Sequence, residues 1–298
     1  ASNGHYTIGT IGGNPNSSTD DNKKMLFGHP GGGTSKTTIV VGESINEFTS
    51  SNVTYDADGS KSVSKASYDG VDVTQELSII ENSATGRDDV VKIKYIVKND
   101  TEYAKQVGIR IMMDTMLGGN DAAPFRVNGS DVTTETVYSG SNIPQIWQAF
   151  DSATNPGVVA QGTFYKSGDR KPDKVQFTNW GNVTSTLWDY VTQPGRSNGD
   201  SAVSITWNKD TFTSGETREF VTYYGLSELE QNLIPPLALS VYADNKVSIS
   251  NFNYDDINAN VYLDNIGDGD ATDVSIKITA DNLSLIHISE PTRLLSIS

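Results

Sequence analysis

At 298 residues the chain is long enough for one large domain and part of a second, and a formal charge of −15 argues against attraction to nucleic acid or an anionic bilayer. It contains no cysteine, which excludes disulfides, thiolate metal sites and cysteine nucleophiles, and no apolar run near the roughly 18 residues that a membrane-spanning helix needs. The 27 glycines, with many Thr, Ser, Asn and Asp residues, favour strands joined by turns, so the expected class is all-β.

Residues 1–35 form a glycine-rich lead-in with one apolar patch at Met25 to Phe27. The segment from Gly28 to Ser35, GHPGGGTS, has the composition of a phosphate-cradling loop. It lacks a lysine at the required spacing, however, and the TTIVV after it reads as a strand where that motif needs a helix. It is read as a loop. Strands are expected at Thr37 to Val41 and at Val71 to Ile80. In the latter, Val71, Val73, Leu77 and Ile79 share one face, and Asp72, Thr74, Glu76 and Ser78 the other. Val90 to Lys98 alternates Val91, Ile93, Tyr95 and Val97 with Lys92, Lys94 and Lys98.

The stretch Val107 to Phe125, VGIRIMMDTMLGGNDAAPF, is the one around which the chain is organised. It places Val107, Ile109, Ile111 and Met113 on one face and Arg110, Met112 and Asp114 on the other. It then runs into a glycine turn carrying Asn120 and Asp121. The three strands from Val71, Val90 and Val107, with their short connections, predict an antiparallel meander. Arg110 and Asp114 fall on one surface, where an ion pair is available. Between residues 126 and 228 the strand pattern continues with more loop, and Val203, Ile205 and Trp207 alternate, which puts Trp207 in the core. Ser227 to Asn232, SELEQN, is a weak helical candidate and a hinge. Leu233 to Leu237, with its paired prolines, reads as a linker. Four short strands follow at LALSVYA, KVSISNFNY, NANVYLDN and DVSIKIT, a spacing that suggests the first half of an immunoglobulin-like sandwich.

The segment NANVYLDNIGDGDATDVSIKI resembles the CARDB-type and related Ig-like modules of bacterial surface proteins, through a strand, an Asn-x-Gly turn and an Ala-Thr-x-Val strand. The pieces VGIRIMMDTMLGGNDAAPF, IPQIWQAFD, KPDKVQFTNW, DSAV and TYYGL resemble a family of uncharacterised bacterial envelope domains, which implies location and domain boundaries but no activity. By analogy, a large two-sheet supersandwich, like the mutarotase-like domains of carbohydrate-active proteins, is the expected fold. Residues 283–293, LSLIHISEPTR, resemble the in-frame translation of a transposon adapter used in preparing sequencing libraries. That implies a native frame interrupted near Asn282 and leaves His5 and His29 as the native histidines; the alternative is a genuine final strand. The expected organisation is therefore a large antiparallel β-sandwich over 1–228, a linker over 229–236, a partial Ig-like domain over 237–282 and a non-native tail over 283–298.

Among possible chemistries, a catalytic triad or zinc site wants an imidazole, and His5 and His29 both sit in glycine-rich sequence. Glycoside hydrolysis wants two carboxylates at a set separation, for which Asp114, Asp121, Glu135 and Asp173 are candidates. Calcium is the better-motivated ion: Asp114, Asn120 and Asp121 offer hard oxygen ligands on a flexible turn, although no EF-hand spacing is present. Trp147, Trp180, Trp188 and Tyr190 lie outside clear strand alternation and are candidate sugar-stacking rings; covering the end of the sandwich is the plainer role for them.

No catalytic residue is assigned. The expected protein is a non-catalytic extracellular or cell-surface module of a bacterial envelope protein, acting in adhesion or display beside further domains of its own full-length chain. Its partner would be a glycan or a surface protein, and calcium its ion. The alternatives are a carbohydrate-binding domain and a carboxylate-dependent carbohydrate-active enzyme. The chain opens at Ala1 without Met and without a visible signal peptide, as expected if a leader has been removed or lies outside this sequence.

Overall fold

The computed structural model describes residues 3–12, 15, 18–82, 86–230, 237–243, 249–250, 253–254, 259–265, 270–272 and 274–276. Strands β1 (Lys36–Val41) and β2 (Ser44–Glu47) form a hairpin. Strands β3 (Asn52–Tyr55), β4 (Lys61–Tyr68), β5 (Val71–Ile80) and β6 (Val90–Asn99) pair in succession, each antiparallel to the last. After β7 (Lys105–Asp114) come the short strands β8 (Phe125–Val127), β9 (Ser130–Val132) and β10 (Thr136–Ser139). They are followed by β11 (Ile146–Phe150), β12 (Val159–Thr163), β13 (Lys174–Asn179), a one-turn helix α1 (Trp180–Val183), β14 (Ser201–Phe212) and β15 (Thr217–Leu226).

These strands make two antiparallel sheets, one of six in the order β10-β13-β14-β7-β1-β2 and one of nine in the order β3-β4-β5-β6-β15-β12-β11-β8-β9. Their inward faces share one apolar core, to which Ile39, Ile111 and Phe177 come from the first sheet and Val73, Trp147 and Tyr224 from the second. The chain is an all-β sandwich, as its composition and alternation predict. Trp207 meets Phe220 edge-on across the gap at 5.5 Å, which places it in the core as expected. One polar contact crosses the same gap: Thr37 Oγ1 and Tyr95 OH lie 2.6 Å apart, and Gln75 Nε2 donates to that hydroxyl at 2.6 Å. Gln75 therefore belongs on the inward face, where a buried amide is tolerated because it is hydrogen-bonded.

The expected meander is corrected at its third strand. β7 leaves β5 and β6 and pairs instead with β1 and β14 in the other sheet. From Val107 to Asp114 every residue of β7 is buried, on both faces. The outward face at Gly108, Arg110 and Met112 is covered by α1 and the segment after it, from which Val183 and Tyr190 pack on Met112 and Ala202. Gly108 allows this cover to lie flat, since a Cβ there would come within 2.6 Å of the Trp188 ring. Beneath the cover Arg110 donates from Nε to Ser204 Oγ at 2.9 Å, from Nη1 to Thr186 O at 2.8 Å and from Nη2 to Val183 O at 2.8 Å. Burial pulls its pKa down to about 10. Its donors are spent on Ser204 and on the cover, so the expected Arg110–Asp114 ion pair is not made.

The weak helical expectation over SELEQN is also overturned. Glu228–Glu230 form strand β16, which pairs with β17 (Leu237–Ala243), and tertiary pairing overrides a marginal local preference. The rest of the expected linker, residues 231–236, lies outside the described residues. Two short strands, β18 (Ile249–Ser250) and β19 (Asn253–Tyr254), pair with each other, and β20 (Ala259–Asn265) pairs with β17. β17 docks on the outer face of the nine-stranded sheet. Ala238 packs against Phe150 and Val159, and Gln148 Nε2 donates to Ser240 Oγ at 2.8 Å. Most of the expected DVSIKIT strand and the whole tail from 283 to 298 lie outside the described residues. No described helix is long and apolar enough to cross a membrane.

Candidate metal centre

Three carboxylates meet at one end of the six-stranded sheet. Asp114 ends β7, Asp121 follows the turn after it, and Asp200 immediately precedes β14. One oxygen from each lies within 4.8 Å of the others, the one grouping of this kind among the described residues. Strand register sets the meeting: Ala202 stands opposite Asp114 in the β7–β14 ladder, so Asp200 falls just beyond the end of β7. Leu117 and Asn120 exchange backbone hydrogen bonds across Gly118 and Gly119, which folds the chain back so that Asp121 O accepts from Ser201 N at 2.8 Å. Asp200 holds a left-handed φ of 59°, a conformation that Asp adopts more readily than most residues. The glycine-rich lead-in is fastened to the same place. Phe27 N donates to Asp114 O at 3.0 Å, and Thr34 Oγ1 donates to Asp114 Oδ2.

Asn120, expected as a ligand, is turned away. Its Nδ2 donates to Asp151 O at 2.9 Å and its Oδ1 accepts from Ala122 N at 2.9 Å, so it caps the turn. Asp200 takes the third position in its place.

The electrostatics of the trio are unfavourable as they stand. Asp114 is 2% exposed, and its Oδ1 accepts no hydrogen bond; nor does the buried Oδ1 of Asp121. Burial, opposed by the Thr34 hydroxyl and reinforced by the charges of Asp200 and Asp121, pushes the Asp114 carboxyl up to about 7. Asp121 and Asp200 are also raised, chiefly by burial, with Lys24 partly offsetting the rise at Asp121. Buried oxygens without donors, held close to like charges, are costly unless a cation or a proton joins them. All the donors are hard carboxylate oxygens, the ligand type that suits calcium or magnesium. The residues present therefore fit a divalent cation.

No family model matches the sequence, nor does any curated protein compared with it. Among solved structures, the chain is similar to a galactose mutarotase related enzyme from Lactobacillus acidophilus, at 7% identity and a TM-score of 0.32, over 59% of this chain and 71% of that one. It is similar to a polysaccharide lyase at 9% identity and a TM-score of 0.33, over 88% of this chain and 39% of that one. A galactose mutarotase-like protein from Lactobacillus casei aligns at 10% identity and a TM-score of 0.29, over 60% and 74% of the two chains. Likenesses at these scores carry nothing about the chemistry of this chain.

The four aromatic candidates do not form one surface. Trp147 is 1% exposed in the core, stacked on Tyr224 at 5.2 Å. Trp188 is buried over Gly108, and Tyr190 is buried with its hydroxyl 2.7 Å from both oxygens of Glu135. These three rings have no free face for a sugar, because β11 carries Trp147 into the core and the irregular segment after α1 presses Trp188 and Tyr190 onto the six-stranded sheet. Trp180 alone of the four is part-exposed, packed beside Met112 and Ala202, with its backbone N donating to Asp200 O at 2.7 Å.

The other carboxylate and imidazole candidates have structural partners. Burial opposes the charge of Glu135, but the Gln193 N–H, the Tyr190 and Thr178 hydroxyls and the Asn182 amide outweigh it and hold the carboxyl below its usual range. It is an anchor for the segment that covers β7. Asp173 accepts from Asn208 N at 2.8 Å. His5 lies 3.1 Å from Glu47, and His29 Nδ1 lies 3.2 Å from Thr7 Oγ1.

Proposed function

We propose that this chain is a non-catalytic β-sandwich module of an extracellular bacterial envelope protein, serving in display or adhesion, with one end fixed by a calcium ion at Asp114, Asp121 and Asp200. The observation that carries this reading is the pair of buried carboxylate oxygens, Oδ1 of Asp114 and Oδ1 of Asp121, that meet no hydrogen-bond donor. A cation there would join the lead-in through Thr34, the end of β7 through Asp114, the glycine turn through Asp121 and the start of β14 through Asp200. Extracellular calcium is abundant enough to fill weak sites of this kind, which is why the reading places the module outside the cell. The test is thermal unfolding in calcium and in EDTA. At free calcium a hundred times the Kd, binding to the folded state alone adds about 2.7 kcal/mol, which raises the midpoint by several degrees. An unchanged midpoint removes the ion from the account.

A second reading has a specific observation behind it. Asp114, with its carboxyl at about 7 beside less perturbed neighbours, has the character of a general acid. Asp121 and Asp200 place a second carboxylate oxygen within 4.8 Å of it, as a two-carboxylate mechanism needs a partner nearby. A carboxylate-dependent carbohydrate-active enzyme is therefore the alternative. Polysaccharide turnover that survives in EDTA and is abolished in Asp114→Asn would establish it over the first.

A further inference from the structure

We infer that the cation at Asp114, Asp121 and Asp200 keeps an open side that binds vicinal hydroxyls of a neutral glycan, with Trp180 as the neighbouring apolar platform; this rests on the calcium reading above. Calcium takes about six to eight oxygen ligands, and three carboxylates, one of them partly committed to Thr34, leave positions unfilled. The burial of the trio says where those positions lie. Asp114 forms the floor, at 2% exposure, and the buried Oδ1 of Asp121 stands beside it, whereas Asp200 and the rest of Asp121 are half-buried, so the approach from solvent is on the Asp200 side.

Beside it stands Trp180, part-exposed and tied to Asp200 through its backbone. Its indole is backed by Met112, Val183, Tyr190 and Ala202, so the ring is held in place rather than free to swing. A fixed ring next to a half-coordinated hard cation matches the two parts of a sugar. Two adjacent hydroxyls replace water on the ion, and an apolar ring face lies on the indole. Charge narrows the ligand class further. The chain carries −15, and three carboxylates surround the ion, so an anionic ligand meets repulsion that an uncharged polyol does not.

The test is binding of the whole chain to immobilised neutral polysaccharides, mannan and galactan, in calcium and in EDTA, with calorimetric calcium titration of each variant alongside. The expected result is calcium-dependent retention, lost in EDTA and in Asp200→Asn. Trp180→Ala should still bind calcium while its polysaccharide affinity falls about tenfold, the loss of one stacked ring. Competition by methyl α-mannoside or methyl α-galactoside, but not by sugars whose adjacent hydroxyls are methylated, would place the diol on the ion. Calcium binding without retention of either polysaccharide overturns this inference and leaves the calcium reading standing. Absence of calcium binding overturns both. Retention unchanged by EDTA and by Asp200→Asn would put any glycan site elsewhere.

Discussion

Asp114 is buried as though it were apolar, yet it ends a strand beside two other acids. With calcium removed, the sign of its pH effect follows from where its proton goes. The folded carboxyl titrates at about 7 and the unfolded one in the ordinary carboxylate range, so between those values the folded state holds more protons than the unfolded state. Stability in EDTA should fall as pH rises through that window and level off above about 7. Calcium, which binds the carboxylate, should reverse the trend. Asp114→Asn should raise the EDTA midpoint at neutral pH and abolish the calcium response, as calorimetric melts across pH would record; a midpoint flat with pH in EDTA would contradict this account of the site. The sequence makes Asp114 and Asp121 readable as partners because one short stretch holds both. It cannot show Asp200, which arrives through the β7–β14 register, nor that Asn120 would turn to cap its own loop.

At the scale of elements, period-two alternation locates β5, β6 and β7 to within a residue or two, because each has a face toward the shared core, and the apolar run TTIVV locates β1. It does not say which sheet a strand joins. A short connection favours β7 beside β6, but burial of both its faces suits it to the middle of the six-stranded sheet, where it lies. The tryptophans are misjudged for a related reason: alternation is silent where strands are short. β11 is buried at every position, and Trp147 points into the core from it. Opposite lies Gly162, where a Cβ would come within 2.0 Å of the Trp147 indole. Trp147→Ala should cost about 3–5 kcal/mol through the cavity it leaves. Gly162→Ala should cost about 1–3 kcal/mol through overpacking, and the combination should cost less than the sum, because the smaller residue at 147 makes room for the new methyl. Denaturant melts of the two single variants and the double variant measure the coupling. Strict additivity would mean that the two residues do not press on each other.

Across the whole molecule, two unequal sheets enclose one core, and each has an outer face covered by a later part of the chain. The segment after α1 covers the six-stranded sheet, and β17 covers part of the nine-stranded one. The trio lies where the first cover ends, so a bound ion would tie the lead-in, the central strand and the start of β14 together at one point. The central claim is that this point holds a divalent cation. Isothermal titration of calcium into the chelator-treated chain tests it most directly, with Asp200→Asn in parallel. The account predicts one site per chain in the wild type and none in the variant. Titration without saturable heat in the wild type, or equal binding by Asp200→Asn, would contradict it.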